Sequence, residues 1–310
     1  MVKSFFFVGN ADVESALSNN LASAGFAIAS EAALADVVFV YCETQSALED
    51  AFFETGGLTQ LVSSGTYLVT LSSTTPSFAR ELYAVALIND LRSVQAPLVV
   101  KDVFLPDAYR DAKNLCCLVD GEEEDFKVLS SMLNAIAGVF KFTGDAGSAQ
   151  TARAALTIQV AAQVMAAIEV SALNKMSAIP SEQITDFMVA EGFSPQNNLS
   201  LLKAIAAKNF TGTYTVSMCM AEMAAALMTA DDVELILPAA EACMHLLELL
   251  AIIGGGNYGL AALSLVYGDE ETCAKHGLDW TRVEQDYFSD SDEEEDEPEA
   301  RSAFGGYSPN

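Results

Sequence analysis

The chain has 310 residues, 51% of them hydrophobic, and a net charge of −28 from 43 acidic and 15 basic residues. That length and apolar content imply a body of roughly two domains of about 150 residues each, with ample material for a core. An excess of negative charge this large repels phosphate backbones and anionic headgroups, which excludes nucleic acid and a membrane surface as partners. Part of the charge is concentrated between Asp290 and Glu299, but a net −21 remains on residues 1–289.

In chain order, residues 4–8 (SFFFV) read as a buried strand and 12–24 as a helix stopped by Gly25. Residues 26–29, 36–41 (DVVFVY) and 66–71 (TYLVTL) supply further strands, and 96–104 and 115–119 two more apolar runs. Helical patterns lie between them at 45–54, 77–93 and 124–136. Strands alternating with helices predict a parallel sheet covered on both faces. From residue 148 to 176 the chain is rich in Ala, Gln and Met and lacks Pro and Gly, so it reads as one long helix. Helices follow at 181–191, 199–208, 214–228, 232–253 and 258–266. Beyond about residue 285, SDSDEEEDEPEARSAFGGYSPN lacks the apolar surface needed to order itself and is read as a disordered acidic tail.

The expected organisation is therefore a truncated Rossmann-like α/β domain (1–146), an all-α domain (147–284) joined to it by the long interdomain helix, and the tail (285–310). The six cysteines form no C-x-x-C pair and only two histidines are present, so no metal site is expected and the thiols read as buried groups in a reducing compartment. Phe5-Phe6-Phe7 is too short for a signal h-region, and Gln159, Gln163 and Glu169 interrupt the most apolar helix. The expected location is cytoplasmic.

Several local patterns occur in an order that resembles the β-hydroxyacid dehydrogenases, the family of 3-hydroxyisobutyrate dehydrogenase and glyoxylate reductases. They are VGNADVESALSNNLASAGF at the first strand, glycine loop and helix, ADVVFVYCE, SSGTYLVTLSSTTP, GDAGSAQTARAAL, YTVSMCMAEMAAAL and GGGNYGLAAL. The resemblance covers roughly residues 3–268 and implies NAD or NADP as cofactor and pairing through the helical half. The glycine loop that would cradle the pyrophosphate survives as Gly9-Asn10-Ala11, with Ala11 and Glu14 at the second and third glycine places. Asp12 is available to cap the helix instead. After 26–29 the chain runs almost directly into the next strand, so one helix–strand unit, the wall of the adenosine site, is missing.

On the substrate side, Pro106, Asp107 and Ala108 replace the Ser-Gly-Gly whose amides hold a carboxylate in the family. The family lysine falls on Arg153, its helper asparagine on Leu156, and the later Lys-Asp on Ala221-Glu222. Arginine stays protonated and is a poor general acid or base. Arg153 is open to two readings, a retained anion-holding group or a residue that is simply solvated or salt-bridged. Ser73 takes the threonine place in the S-T turn and keeps a hydroxyl. Cys42 and the run Met218, Met220, Met223, Met228 read as packing residues.

These replacements together predict a catalytically inactive member of the family, a binding, regulatory or oligomerisation module with no cofactor. The competing reading is an active NAD(P)-dependent oxidoreductase acting on a small carbonyl or β-hydroxyacid through Gly9, Ser73 and Arg153. The expected partners are a second copy or an active relative, through the helical half, and a protein partner of the tail. In the tail, Ser289 and Ser291 each precede an acidic residue by three places, the pattern preferred by acidophilic kinases.

Overall fold

A computed structural model of the chain describes residues 2–177 and 180–283. The acidic tail, with Ser289 and Ser291, lies outside the described residues.

The chain opens with β1 (Ser4–Gly9), α1 (Ala11–Ser23) and β2 (Ala27–Ile28). A single 3-10 turn (Ala32–Leu34) then leads straight into β3 (Val37–Tyr41), so no helix separates β2 from β3. Next come α2 (Gln45–Phe53), α3 (Leu58–Leu61), β4 (Tyr67–Thr70), α4 (Pro76–Ile88), β5 (Arg92–Gln95) and β6 (Leu98–Val100). The unit closes with β7 (Leu115–Asp120), α5 (Glu123–Ile136) and β8 (Val139–Gly144). The sheet order is β2-β1-β3-β4-β5-β7-β6, with β8 also paired to β7.

β3, VVFVY, is buried along its whole length, as a strand covered on both faces must be. Its side chains alternate. Val37, Phe39 and Tyr41 face α1 and α5, while Val38 and Val40 face α2 and α4. β2 is the outer strand beside β1, two residues long, with Ile28 64% exposed. In a complete dinucleotide fold another strand continues the sheet beyond this position.

Some expectations need correction. The sheet is not wholly parallel, because β7 runs antiparallel to β5 and β6. The helix expected at 77–93 ends at Ile88, since Asn89 caps it and Asp90 takes a positive φ of 55°. The next residues, read as helix, form β5 and pair with β4. β8, not anticipated, alternates outward and inward and sets Phe140 and Phe142 against Phe126 of α5.

The helical half begins with α6 (Ser148–Met176), followed by α7 (Ser181–Ala190), α8 (Asn198–Ala207), α9 (Val216–Asp231) and α10 (Pro238–Leu250). The short helices α11 (Leu263–Val266) and α12 (Glu270–Lys275) end the described chain. The single helix expected at 232–253 starts only at Pro238, because Glu234 has a positive φ and proline at the first turn opens a new helix. By length and composition α6 and the stretch 238–255 are each apolar enough to cross a membrane. In the fold α6 packs against β7 and β8 on one side and α9 and α10 on the other.

Candidate functional site

Gly9 ends β1 opposite Tyr41 of β3, with φ at 125°. A Cβ built there would stand 1.9 Å from the Tyr41 carbonyl oxygen, so the neighbouring strand itself demands glycine. At the next position Asn10 caps α1. Its Oδ1 accepts from the amides of Asp12 (3.0 Å) and Val13 (3.1 Å), and its Nδ2 donates to Glu43 Oε1 at 2.7 Å. The cap is thus Asn10 and not Asp12, whose own amide is one of the two capped. Ala11 is exposed, and Asp12 and Glu14 add two acids to the first turn. The amides that a helix N-terminus offers to an anion are occupied by a side chain of the loop.

The turn after β4 is held from two sides. Gln45 Oε1 accepts from the Thr74 hydroxyl (2.6 Å) and from the Thr75 amide (3.1 Å) and hydroxyl (3.1 Å). Gln150, fully buried in the first turn of α6, accepts from the Thr74 amide and donates to Ser72 O and Gln95 Oε1, each at 3.0 Å. Ser73 sits in this turn with its Oγ buried and, among the described residues, without a hydrogen-bond partner. Cys42 lies alongside. It is half-buried, its amide donates to Ser72 Oγ at 2.8 Å, and burial, reinforced by the nearby Asp50 and Glu43, pushes its thiol above the ordinary range.

The start of α6 meets Asp120 at the end of β7. Asp120 Oδ2 accepts from the Gly147 amide (2.9 Å) and the Ala149 amide (2.8 Å), while Oδ1 is buried with no partner among the described residues. Burial raises this carboxyl to about 6, against the bonds from those amides.

Arg153 stands one turn further along α6, buried between the two halves of the molecule. Its Nη2 pairs with Glu222 Oε2 of α9, and its Nη1 donates to Thr157 Oγ1 at 2.6 Å. Tyr214 donates to the same Glu222 oxygen at 2.5 Å. Burial, the largest single influence, disfavours the arginine charge, but Glu222, Tyr214 and Tyr41 together outweigh it and hold the guanidinium protonated, above its ordinary range. Arg153 is thus salt-bridged. The helper position, Leu156, packs with Val99 and Leu118. The cavity left beside Arg153, Thr157, Tyr214 and Glu222 measures about 10 Å³. That is at the lower limit for a single water.

Two further tyrosines close the cleft, and neither was singled out from the sequence. Tyr41 and Tyr109 share a hydrogen bond of 2.9 Å, and Tyr109 donates to Met218 Sδ at 3.7 Å. Burial, with the Glu222 charge adding to it, raises Tyr41 far above the ordinary phenol range. The segment between β6 and β7 is fastened to the helical half. The Ala108 amide donates to Thr213 Oγ1 (3.0 Å), Thr213 N donates to Pro106 O (2.9 Å), and Ser200 Oγ donates to Asp102 Oδ2 (2.6 Å). The amide at the substrate-turn position is therefore taken up inside the fold. A sequence signal for Glu222 did exist, as the acidic member of the Ala221-Glu222 pair. Tyr41, Tyr109 and Gln150 gave none, because their partners are 55 or more residues away.

Comparison with known proteins places this geometry. Residues 5–144 match the family model of the NAD binding domain of 6-phosphogluconate dehydrogenase. An uncharacterised oxidoreductase of Bacillus subtilis (strain 168), YkwC, is 22% identical over 229 residues, 74% of this chain and 78% of that protein. A 3-hydroxyisobutyrate dehydrogenase from Salmonella typhimurium superposes with a TM-score of 0.74 at 17% identity, over 85% of this chain and 99% of that one. Psf3, solved with NADP+ and 2-OPP, gives a TM-score of 0.74 at 15% identity, over 85% and 99% of the two chains. Residues 5–144 thus form a domain of the 6-phosphogluconate dehydrogenase NAD-binding type, and the chain as a whole has the two-part fold of the 3-hydroxyisobutyrate dehydrogenases.

Proposed function

We propose that this chain is a catalytically inactive member of its family, a scaffold kept for binding, regulation or oligomerisation. The observation that carries this reading is the interdomain centre. Arg153 pairs with Glu222, which also accepts from Tyr214, at the position that aligns with the family's lysine, Arg153 Nε is buried with no partner among the described residues, and the remaining space is about 10 Å³. A carbonyl substrate has no room there, and a guanidinium held protonated by a buried carboxylate has no proton to exchange near neutral pH. The residues at the loop do not fit a dinucleotide either. Asn10 caps two amides of the helix N-terminus, Glu14 sets a carboxylate in its first turn, and among the described residues no strand lies beyond β2 to wall the adenosine.

The helical half supports a role in assembly. Leu173, Phe187 and Phe193 are apolar and largely exposed there, an arrangement suited to a second copy or to an active relative. Light scattering of the purified chain tests this, with a dimer expected. Ser289 and Ser291 are proposed as phosphorylation sites, tested by phosphopeptide mapping.

The test of the main reading is NADH and NADPH binding, by calorimetry and thermal shift at near-millimolar cofactor. A site held at 100 times its dissociation constant stabilises the fold by about 2.7 kcal/mol. Neither heat nor shift is expected. Clear binding would favour the active reductase, in which the unpartnered Ser73 hydroxyl contacts the ligand, and Arg153→Ala in a carbonyl-reduction assay then decides its role.

A further inference from the structure

The helical half carries a groove that plays no part in the interdomain centre. It lies between the C-terminal part of α6, α8 and the segment from α11 to α12, with a volume of about 520 Å³. A neighbouring hollow of about 390 Å³ shares Ser171, Lys175 and Ile205 with it. The floor is apolar, formed by Ile168, Phe210 and Leu265. Lys175, Lys208 and His276 stand on its walls and Lys203 on the wall of the neighbouring hollow. Three acids are also present. Asp269 is engaged in capping α12 through the Thr272 amide, and Glu182 and Asp186 lie on the α7 side of the hollow.

This gathering runs against the composition. The chain has 15 basic residues to 43 acidic ones, yet three lysines meet around one apolar floor. Among the described residues none of the three makes an ion pair, whereas Lys127 and Lys275 do. An apolar trough edged by unpaired ammonium groups suits an extended segment with aromatic anchors beside carboxylates.

The chain itself contains such a segment, and it departs from the groove's edge. Thr272 and His276 line the groove, and the described chain ends at Val283, seven residues past His276. Residues 284–310 carry ten carboxylates against the single Arg301, with Tyr287-Phe288 directly before SDSDEEEDE. An extended chain covers up to about 3.5 Å per residue, so the eleven residues from His276 to Tyr287 allow the aromatics to fold back onto the floor. Tethering also gives the segment a local concentration that on the order of millimolar outcompetes free partners.

We propose that residues 286–296 dock in cis in this groove, with Tyr287 and Phe288 on the apolar floor and the following carboxylates beside Lys175, Lys203 and Lys208. The tail thereby covers a lysine-edged trough on an acidic chain. This holds whether or not the chain retains catalysis.

The test uses the full chain, as an equal mixture of unlabelled and 15N-labelled protein, cross-linked with a zero-length carbodiimide and mapped by mass spectrometry. The expected result is amide links from Lys175, Lys203 or Lys208 to carboxylates between Asp286 and Asp296, joining peptides of the same isotope. Links spread equally over Lys3, Lys101, Lys113 and Lys141 would overturn the proposal. Mixed-isotope pairs would overturn it too, because the occupant would then be a second copy. A full-length variant with Tyr287→Ala and Phe288→Ala keeps every charge and leaves the described fold untouched. It should lower the yield about tenfold, the effect of losing roughly 1.4 kcal/mol of aromatic seating. An unchanged yield would reduce the contact to diffuse charge attraction and sink the groove assignment.

Discussion

The β1–α1 loop and the Arg153 centre are two polar regions at the edge and the middle of the fold, and they hold their polar groups by different means. In the loop, one exposed-side asparagine turns inward by two residues and caps two amides. The contact is local, half-exposed and made within one turn of helix. In the centre, a guanidinium from α6, a carboxylate from α9 and a phenol from the segment before α9 converge in a space closed to water. That contact joins residues 69 positions apart in the chain, and each member is costly to bury alone. A solvated loop needs only one capping side chain to satisfy its amides. A closed cleft needs partners from several elements, and even so Arg153 Nε is buried there with none among the described residues.

The difference is testable, from its largest effect to its smallest. Arg153→Met leaves Glu222 charged, buried and unpaired, and is expected to lower unfolding free energy by about 3–5 kcal/mol. The double change Arg153→Met with Glu222→Leu should recover most of that loss in chemical denaturation. A single-mutant cost below about 1 kcal/mol would mean that solvent reaches the pair and the cleft is open.

Gly9→Ala comes next. The added methyl meets the Tyr41 carbonyl and the backbone is held at φ 125°, so a loss of about 3 kcal/mol is expected with no nucleotide present. A neutral outcome would return this glycine to the role of making room for a phosphate.

Asp120 joins the sheet to the start of the interdomain helix, accepting from the amides of Gly147 and Ala149. Its folded carboxyl is raised to about 6, above the unfolded value, so the folded state binds the extra proton. The stability it contributes is greatest below about pH 4 and is lost as pH rises through 6. Against Asp120→Asn, the wild-type chain should lose on the order of 2 kcal/mol between pH 4 and pH 7. Parallel pH profiles for the two proteins would show that the amides of Gly147 and Ala149 hold the carboxylate charged after all.

Asn10→Ala is the mildest, at about 1 kcal/mol, the usual worth of a helix N-cap, followed by thermal denaturation. It also frees the Asp12 and Val13 amides. If NADH then binds, the cap alone was excluding it, and the missing strand beyond β2 is of no consequence.

Local pattern carried much of this fold. The glycine-free and proline-free run after Gly147 gave α6 its bounds, Ser148–Met176, because 29 residues of good helix formers leave the backbone no alternative. The apolar runs at β1, β3 and β4 were legible for the same reason, and the short distance from β2 to β3 showed that a helix–strand unit is absent. β5 was not legible. Arg92 and Gln95 give it no strand pattern, and it is a strand because β4 offers unpaired carbonyls and amides beside it. The same holds at the site. The sequence placed Arg153 at the family's lysine position and left its role open between anion holding and a salt bridge. Tertiary structure paired it with Glu222, and brought Tyr41, Tyr109 and Gln150 to the junction. Helix and strand formation depends on neighbours within a few residues, whereas the pairing of a buried charge depends on which distant group shares its dry space.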